Sequence, residues 1–345
     1  MKKIISILSV ILIVAVLSCT FISCKGNDAT GNTDGDFDFT LVMKDYEKAP
    51  NTDNSSLTSS NVKDAFNDSS LAVNNKASKM IYEAMVNETN IDHFTYFNYK
   101  VGTSTLGDKS GTLLYQRLRK QSTTLKDDRT IKFPINHNFG DIEESAMTSA
   151  IIRYINPDES KYYRIEAKTS SMTYDEKTKL VTVPNDAWKK GSSWGDPQTG
   201  KSSMSLEEAR KMAIDFETKD ILDASKTTIT EETTKDGAKY YKITTEVDIN
   251  VANDSSKGDS IKWLENDNSG TNMSYDYCKF TCEIWECGLI KAYEIEEKWQ
   301  GKIEYLKIIS YQGSAESKSV IKYSYSLEDL DHSNTESIYQ SIIKK

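Results

Sequence analysis

Histidine and arginine are scarce in this 345-residue chain, which has three histidines and six arginines against 43 lysines and arginines together. Lysine therefore carries the positive charge, and few guanidinium forks are present to grip phosphates at two points. His93, His137 and His332 stand far apart in sequence and read as surface or strand-end residues, not as an acid–base or metal set. Positive charge is also outnumbered. The 52 acidic residues give a formal charge of −9, which deepens to −11 when Lys2 and Lys3 leave with residues 1–23. Such a surface repels nucleic acid and anionic lipid headgroups, and no basic patch stands out along the chain.

Only one apolar run is long. Met1-Lys2-Lys3 leads into an apolar stretch, broken only by Ser6 and Ser9, that ends near Val16-Leu17 and is followed by Phe21-Ile22-Ser23-Cys24. A basic start, an apolar core too short to span a bilayer comfortably and a small residue before the break describe an export signal that is removed. Ser23-Cys24 fits the end of a bacterial lipoprotein signal, in which the cysteine thiol receives a diacylglyceryl group. Ser18-Cys19 is a weaker rival, because Leu17 is bulky where a smaller residue is usual. Two acyl chains anchor stably where one binds only marginally.

The expectation is therefore a signal peptide at 1–23 and lipidation at Cys24, with the protein exported and held on the outer face of the bacterial cell membrane or on an outer membrane. Residues 24–70 are expected to form a flexible acidic tether, since Lys25 to Asp36 is a run of Gly, Asn, Asp and Thr that cannot bury enough apolar surface to order itself. Phe37 to Met43 form a short strand or dock on the domain. Asp34, Asp36 and Asp38 have the spacing of a calcium loop, but Phe39 stands where glycine belongs and Asp45 where glutamate does, so no metal is expected. The globular domain is placed at 71–345, with a sub-boundary near 195–204.

Within that domain the apolar period alternates between helix and strand. Ala77, Met80, Ile81, Ala84 and Met85 repeat at three and four residues, which predicts a helix from about Lys76. Phe94 to Tyr99 form a strand with aromatic mass on both faces. From Tyr241 to Val251 the odd positions are apolar or β-branched and the even ones polar, which gives a strand with one core face. Tyr163-Ile165-Ala167, Tyr293-Ile295 and Ile321-Tyr323-Tyr325 repeat the pattern. A capping box at Ser205 and Glu208 opens a further helix, and two more are expected over 142–151 and 335–345. The fold class is α+β: a large curved antiparallel sheet, half-barrel-like, with a few helices packed on its concave face. The near-identical words Lys161-Tyr162-Tyr163-Arg164-Ile165 and Lys239-Tyr240-Tyr241-Lys242-Ile243 raise a duplicated helix-plus-sheet unit.

Two enzymatic motifs are refused. Gly195 to Ser202 matches the phosphate-loop pattern, but a polar stretch precedes it and the helix waits until Ser205, so the backbone N–H groups have no helix terminus to converge with. Gly191-Ser192-Ser193-Trp194-Gly195 matches the nucleophile-elbow pattern without the core strand and following helix which that turn needs. No enzyme activity, nucleotide or cofactor is expected. Cys278 and Cys282 are separated by about 13 Å along a strand, beyond the roughly 7 Å limit for a disulfide, and behave as small buried hydrophobes beside Phe280 and Ile284. Cys287 sits at a turn with Gly288 and has the opposite parity.

The segment Cys282-Glu283-Ile284-Trp285-Glu286-Cys287-Gly288-Leu289-Ile290-Lys291, following a helix and strand from Met80 to Tyr99, resembles the lipoprotein-carrier (LolA-like) half-barrel type. The resemblance covers about residues 76–330 by pattern and implies an apolar concave face that holds acyl chains, with no catalytic residues. Two readings follow. One is a membrane-tethered module that binds an apolar or lipid-like ligand. The other is a surface interaction or scaffold protein that meets a protein or glycan partner through its loops, for which Trp188, Trp194 and Trp263 offer stacking rings. If helices cover the apolar odd face from Tyr241 to Val251 without a cavity, the carrier reading loses its basis.

Overall fold

The computed structural model describes residues 37–50, 59–88, 90–107, 109–138, 148–156, 161–191, 226–253, 272–305 and 309–343. Two helices, α1 (Ser59–Asn67) and α2 (Val73–Glu88), precede a meander of β1 (His93–Leu106), β2 (Lys109–Ser122), β3 (Lys126–His137), β4 (Ser149–Asn156) and β5 (Lys161–Ala167). A small hairpin of β6 (Thr173–Asp175) and β7 (Leu180–Thr182) and the short β8 (Trp188–Lys190) follow. The second meander is β9 (Lys226–Thr233), β10 (Lys239–Glu246), the one-turn helix α3 (Ile249–Ala252), β11 (Asn272–Trp285), β12 (Ile290–Tyr305) and β13 (Ile309–Ser324), and α4 (Ser333–Ile343) comes last. Eleven strands form one antiparallel sheet in the order β8-β5-β4-β3-β2-β1-β13-β12-β11-β10-β9. The two meanders join where β1 pairs with β13, from Thr95 opposite Ser324 to Leu106 opposite Gly313. The fold is α+β, dominated by one large antiparallel sheet.

The sheet buries opposite faces in its two halves. On β1 to β5, Phe97, Tyr99, Leu114, Ile131, Ile152 and Ile165 form one core with Phe37, Phe39 and Met43 and with Ile338 and Tyr339 of α4. On β10 to β12, Tyr241, Ile243, Cys282 and Ile284 form another beneath Val62 and Ala65 of α1 and Met80, Ile81 and Ala84 of α2. Register shows that these faces differ. Cys282 lines up through Tyr293 and Ile321 with Asn98, whose pleat neighbours Phe97 and Tyr99 point the other way. Helices therefore cover both faces, each over the half that is apolar on its side. No helix among the described residues is long and apolar enough to cross a membrane.

The packed body begins at Phe37, well before residue 70. Phe37, Phe39 and Met43 are 6%, 3% and 0% exposed. Three apolar side chains suffice because the sheet already presents aromatic rings to them, and because the Asp329 carboxylate accepts hydrogen bonds from the N–H groups of Lys44 and Asp45 at 2.9 and 3.0 Å. The helix α1, also inside the expected tether, buries Val62 and Ala65 completely.

Elsewhere the periodicity is followed closely. The helix α2 buries the five residues of its stripe, and the odd positions Tyr241, Ile243 and Thr245 of β10 are buried. That strand stops at Glu246 because Asp248 accepts the Asn250 N–H at 2.9 Å and starts α3. Ser149 to Ile151 belong to β4, not to a helix, while 142–147 and the helix expected from Ser205 lie outside the described residues. The terminal helix forms as α4. The two near-identical words fall on β5, the last strand of the first meander, and on β10, the second of the other, so the topology gives them no equivalent places. Gly288, at φ +89, turns β11 into β12, with its N–H donating to the Trp285 carbonyl at 2.7 Å.

Candidate binding site

The odd face of β10 offers no room for a ligand. Tyr241 and Ile243 are 1% and 0% exposed, and Phe66 of α1 lies 4.6 Å from the Tyr241 ring. Toward its centre the same face of the sheet carries rings that are only partly covered, with Phe280, Tyr293 and Tyr323 packed against the edge of the core beneath α1 and α2. There a strip of aromatic rings runs across β11, β12, β13 and β1. Phe280 is 5.7 Å from Tyr293, Tyr293 is 6.3 Å from Tyr323, and Tyr323 is 5.6 Å from Tyr96 and 6.2 Å from Phe94. Tyr325 continues it, 6.4 Å from Tyr323. Phe280, Tyr293, Tyr323, Tyr325 and Tyr96 are all half-buried.

Desolvation raises the pKa of every hydroxyl in the strip. That of Tyr96 is pushed up to about 12, and those of Tyr293, Tyr323 and Tyr325 are raised well above their ordinary value. Rings that keep some contact with solvent while their hydroxyls are strongly desolvated lie in a recess. At one end of it stands Glu88, the last residue of α2. Burial pushes its carboxyl up to about 8, against the pull of Arg119, so that it is largely protonated at neutral pH. Once ionised, its carboxylate raises the pKa of Cys282, Tyr293, Tyr323 and Tyr325, which it faces.

On the other side the strip meets a cationic row. In register across five neighbouring strands stand Tyr96, Arg119, Asp128, Arg153 and Arg164, with Arg117 two residues from Arg119 on the same face. Arg117 lies 5.6 Å over the Tyr96 ring and Arg119 lies 5.8 Å over Phe94. Nε and Nη2 of Arg117 donate to the two Asp128 oxygens at 2.9 and 2.6 Å. Burial works to raise the Asp128 pKa, but this fork and the charges of Arg119 and Arg153 more than offset it and hold the carboxyl below its ordinary value. Four of the six arginines thus share one face. No basic patch is visible along the chain because the patch is assembled by strand register. The one local signal is the pairing of Arg117 and Arg119 two residues apart on a strand.

Of the candidate residues singled out from sequence, those among the described residues lie apart from this recess or at its edge. Cys24 and Cys19 fall outside the described residues, as do the phosphate-loop match, the nucleophile-elbow residues after Gly191, Trp194 and Trp263. Cys278, Cys282 and Cys287 are free thiols, and Cys282 is completely buried beside Ile284. Burial pushes the Cys278 thiol up to about 12 and that of Cys282 well above its usual value. His93 and His332 each lie near a backbone carbonyl, of Tyr325 at 2.9 Å and of Leu330 at 3.4 Å. Trp188 is buried in the first core with Arg129 6.0 Å over its ring, which removes it from sugar stacking.

No family model matches the chain, and no curated protein matches it. Among solved structures it is similar to a domain from Vibrio parahaemolyticus named for outer membrane lipoprotein sorting, at 9% identity and a TM-score of 0.18, over 71% of this chain and 91% of that one. A DUF1329 family protein from Desulfovibrio piger shows 12% identity and a TM-score of 0.18, over 75% of this chain and 98% of that one. A lipovitellin structure shows 9% identity and a TM-score of 0.21, over 68% of this chain and 25% of that one. Scores this low establish no common family.

Proposed function

We propose that the protein is an exported, membrane-tethered binding module without catalytic activity, and that it holds an apolar ligand against the aromatic strip. The carrying observation is the strip itself. Aromatic side chains left half-exposed in a recess, next to residues on the same face that are completely buried, are apolar surface the fold has not covered for its own stability. Tyr96, Tyr293 and Tyr323 also carry hydroxyls, while Tyr325 donates its own to the Ile290 carbonyl at 2.7 Å, and rings with polar rims suit a ligand with an apolar body and a polar end. The lipidation motif at Cys24 supports tethering, and the resemblance to lipoprotein carriers supports an acyl-like body for the ligand. The binding surface lies between the two meanders and not beneath the helices, because Tyr241 and Ile243 are already packed there.

Mass spectrometry of the purified native protein tests the binding claim. Stoichiometric copurified lipid or another apolar molecule is expected, and its occupancy should fall in a Tyr96→Ser/Tyr323→Ser variant. A clean apo protein across several preparations would overturn it and leave an interaction protein with a protein or glycan partner. For the tether, Cys24→Ala should leave the precursor unprocessed or release the protein from membranes. Normal processing and retention would move the lipid to Cys19 or end the claim.

A further inference from the structure

The two polar regions of the sheet are built differently. On the half formed by β10 to β13 the solvent-side face alternates in sign. Lys318 lies 2.6 Å from Glu294 and 3.2 Å from Glu296, and Lys298 lies 3.8 Å from Glu316. That is how a sheet face neutralises itself. The row on β2 to β5 does not alternate. Arg119, Arg153 and Arg164 stand in register with one carboxylate, Asp128, and Arg153 and Arg164 are directly opposite each other, an arrangement that costs stability.

Asp128 is already held at both oxygens by Arg117, and Arg164 has its own partner in Glu166 at 2.7 Å. Lys126, at the start of β3, joins the same face. Burial lowers its pKa, and Arg119, Arg117 and Arg153 all push it down further while Asp128 alone in the row pulls it up. Among the described residues no carboxylate forms an ion pair with Arg153 or Lys126. In a chain with a formal charge of −9, a half-buried site with surplus positive charge is a place for an anion from outside.

We infer that the ligand of the aromatic strip carries an oxyanion, a phosphate, sulfate or carboxylate, held by Arg153 and Lys126 with Arg119 at the junction of the two regions. This deepens the binding role proposed above and rests on it: the rings take the apolar body and the cationic row takes the head. A planar guanidinium presents two parallel N–H groups to such a head, and the Lys126 ammonium adds a point charge. The preference must weaken with added salt, since the site keeps contact with solvent.

Titration of the full mature chain with amphiphiles of equal tail length, followed below their micelle concentrations, tests the inference. Dodecyl phosphate is expected to bind at least about tenfold more tightly than dodecyl maltoside, because the neutral head brings no counter-charge to Arg153 and Lys126. Arg153→Gln and Lys126→Gln should each cut that preference severalfold, whereas Lys298→Gln on the opposite face should leave it intact. Equal affinity for the two amphiphiles would overturn the anionic head and leave the apolar reading standing. Binding of neither would overturn the apolar reading as well. Inorganic phosphate separates the sources: affinity equal to that of dodecyl phosphate would keep the anion site, assign it to a free anion and remove the apolar body from the ligand.

Discussion

The ring of Phe37 stacks on that of Tyr99, 4.5 Å between centroids and 14° apart in plane. Phe97 and Phe39 lie 5.2 Å from Phe37 on two further sides, so the side chain that opens the packed body is enclosed by aromatic carbon. Truncating a large buried ring removes its transfer free energy and leaves a cavity. Phe37→Ala is therefore expected to lower the free energy of unfolding by about 3 kcal/mol in urea denaturation. Leu41→Ala, in the same segment but 49% exposed, should change it by less than about 0.5 kcal/mol. A neutral Phe37→Ala would show that the segment does not dock.

The pair Lys100 and Glu297 invites a different comparison. Their charged groups lie 3.7 Å apart, with side chains 9% and 15% exposed. Burial drives both toward neutrality, lowering Lys100 to about 8 and raising Glu297, while each one's charge opposes the shift of the other. Glu297→Gln leaves the buried ammonium without its counter-charge and should cost about 3 kcal/mol. Lys100→Met/Glu297→Leu should recover most of that loss, because the desolvation penalty goes with both charges. A double variant as unstable as the single one would mean that the pair contributes net stability.

How far the sequence anticipates this molecule depends on the range of the signal. The helix α2 and the strand β10 are legible because their apolar periods persist over several turns or pleats, so that Met80, Ile81 and Ile243 announce their burial locally. The docking of Phe37, Phe39 and Met43 is not legible, since three apolar residues among polar neighbours resemble a linker until a sheet with matching rings exists. Pleat alternation tells which residues share a face but not which face becomes the core. The reversal between Phe97 on one half and Cys282 on the other is therefore invisible in either strand alone. The cationic row is hidden for a related reason. Arg119, Asp128, Arg153 and Arg164 come together only through the registers of three antiparallel pairings. The aromatic residues of the strip could be read as strand residues, but not as incompletely covered ones.

The thiols give a simple chemical readout of the β11–β12 region. Burial raises the pKa of Cys278, Cys282 and Cys287, so little reactive thiolate is present at neutral pH. Native protein treated with a thiol-specific reagent should label slowly at all three positions, Cys282 slowest of all, and rapidly after denaturation. Electrophoretic mobility with and without reductant should be the same, because none of the three is bridged. Fast labelling of Cys282 in the native state would contradict its packing beneath α2.

Glu88 makes stability depend on pH in a window that few neighbouring groups share. Its carboxyl is raised from an ordinary 4.5 to about 8 by burial, which means that the folded state holds a proton the unfolded chain releases. Its contribution is therefore fully present below pH 4.5 and is lost progressively as pH rises through about 8. The groups it faces do not titrate there. The thiol of Cys282 and the hydroxyls of Tyr293, Tyr323 and Tyr325 are pushed well above their ordinary values, which already lie above neutrality. Glu88→Gln keeps the shape and neutrality of the protonated acid while removing the titration. The variant should match the parent protein at pH 4 and exceed it at pH 8.5, by at least about 1 kcal/mol in denaturant unfolding at the higher pH. The difference between the two proteins, followed from pH 4 to 9, cancels every other titrating group. A flat difference across that range would place Glu88 in water and remove it from the rim of the recess.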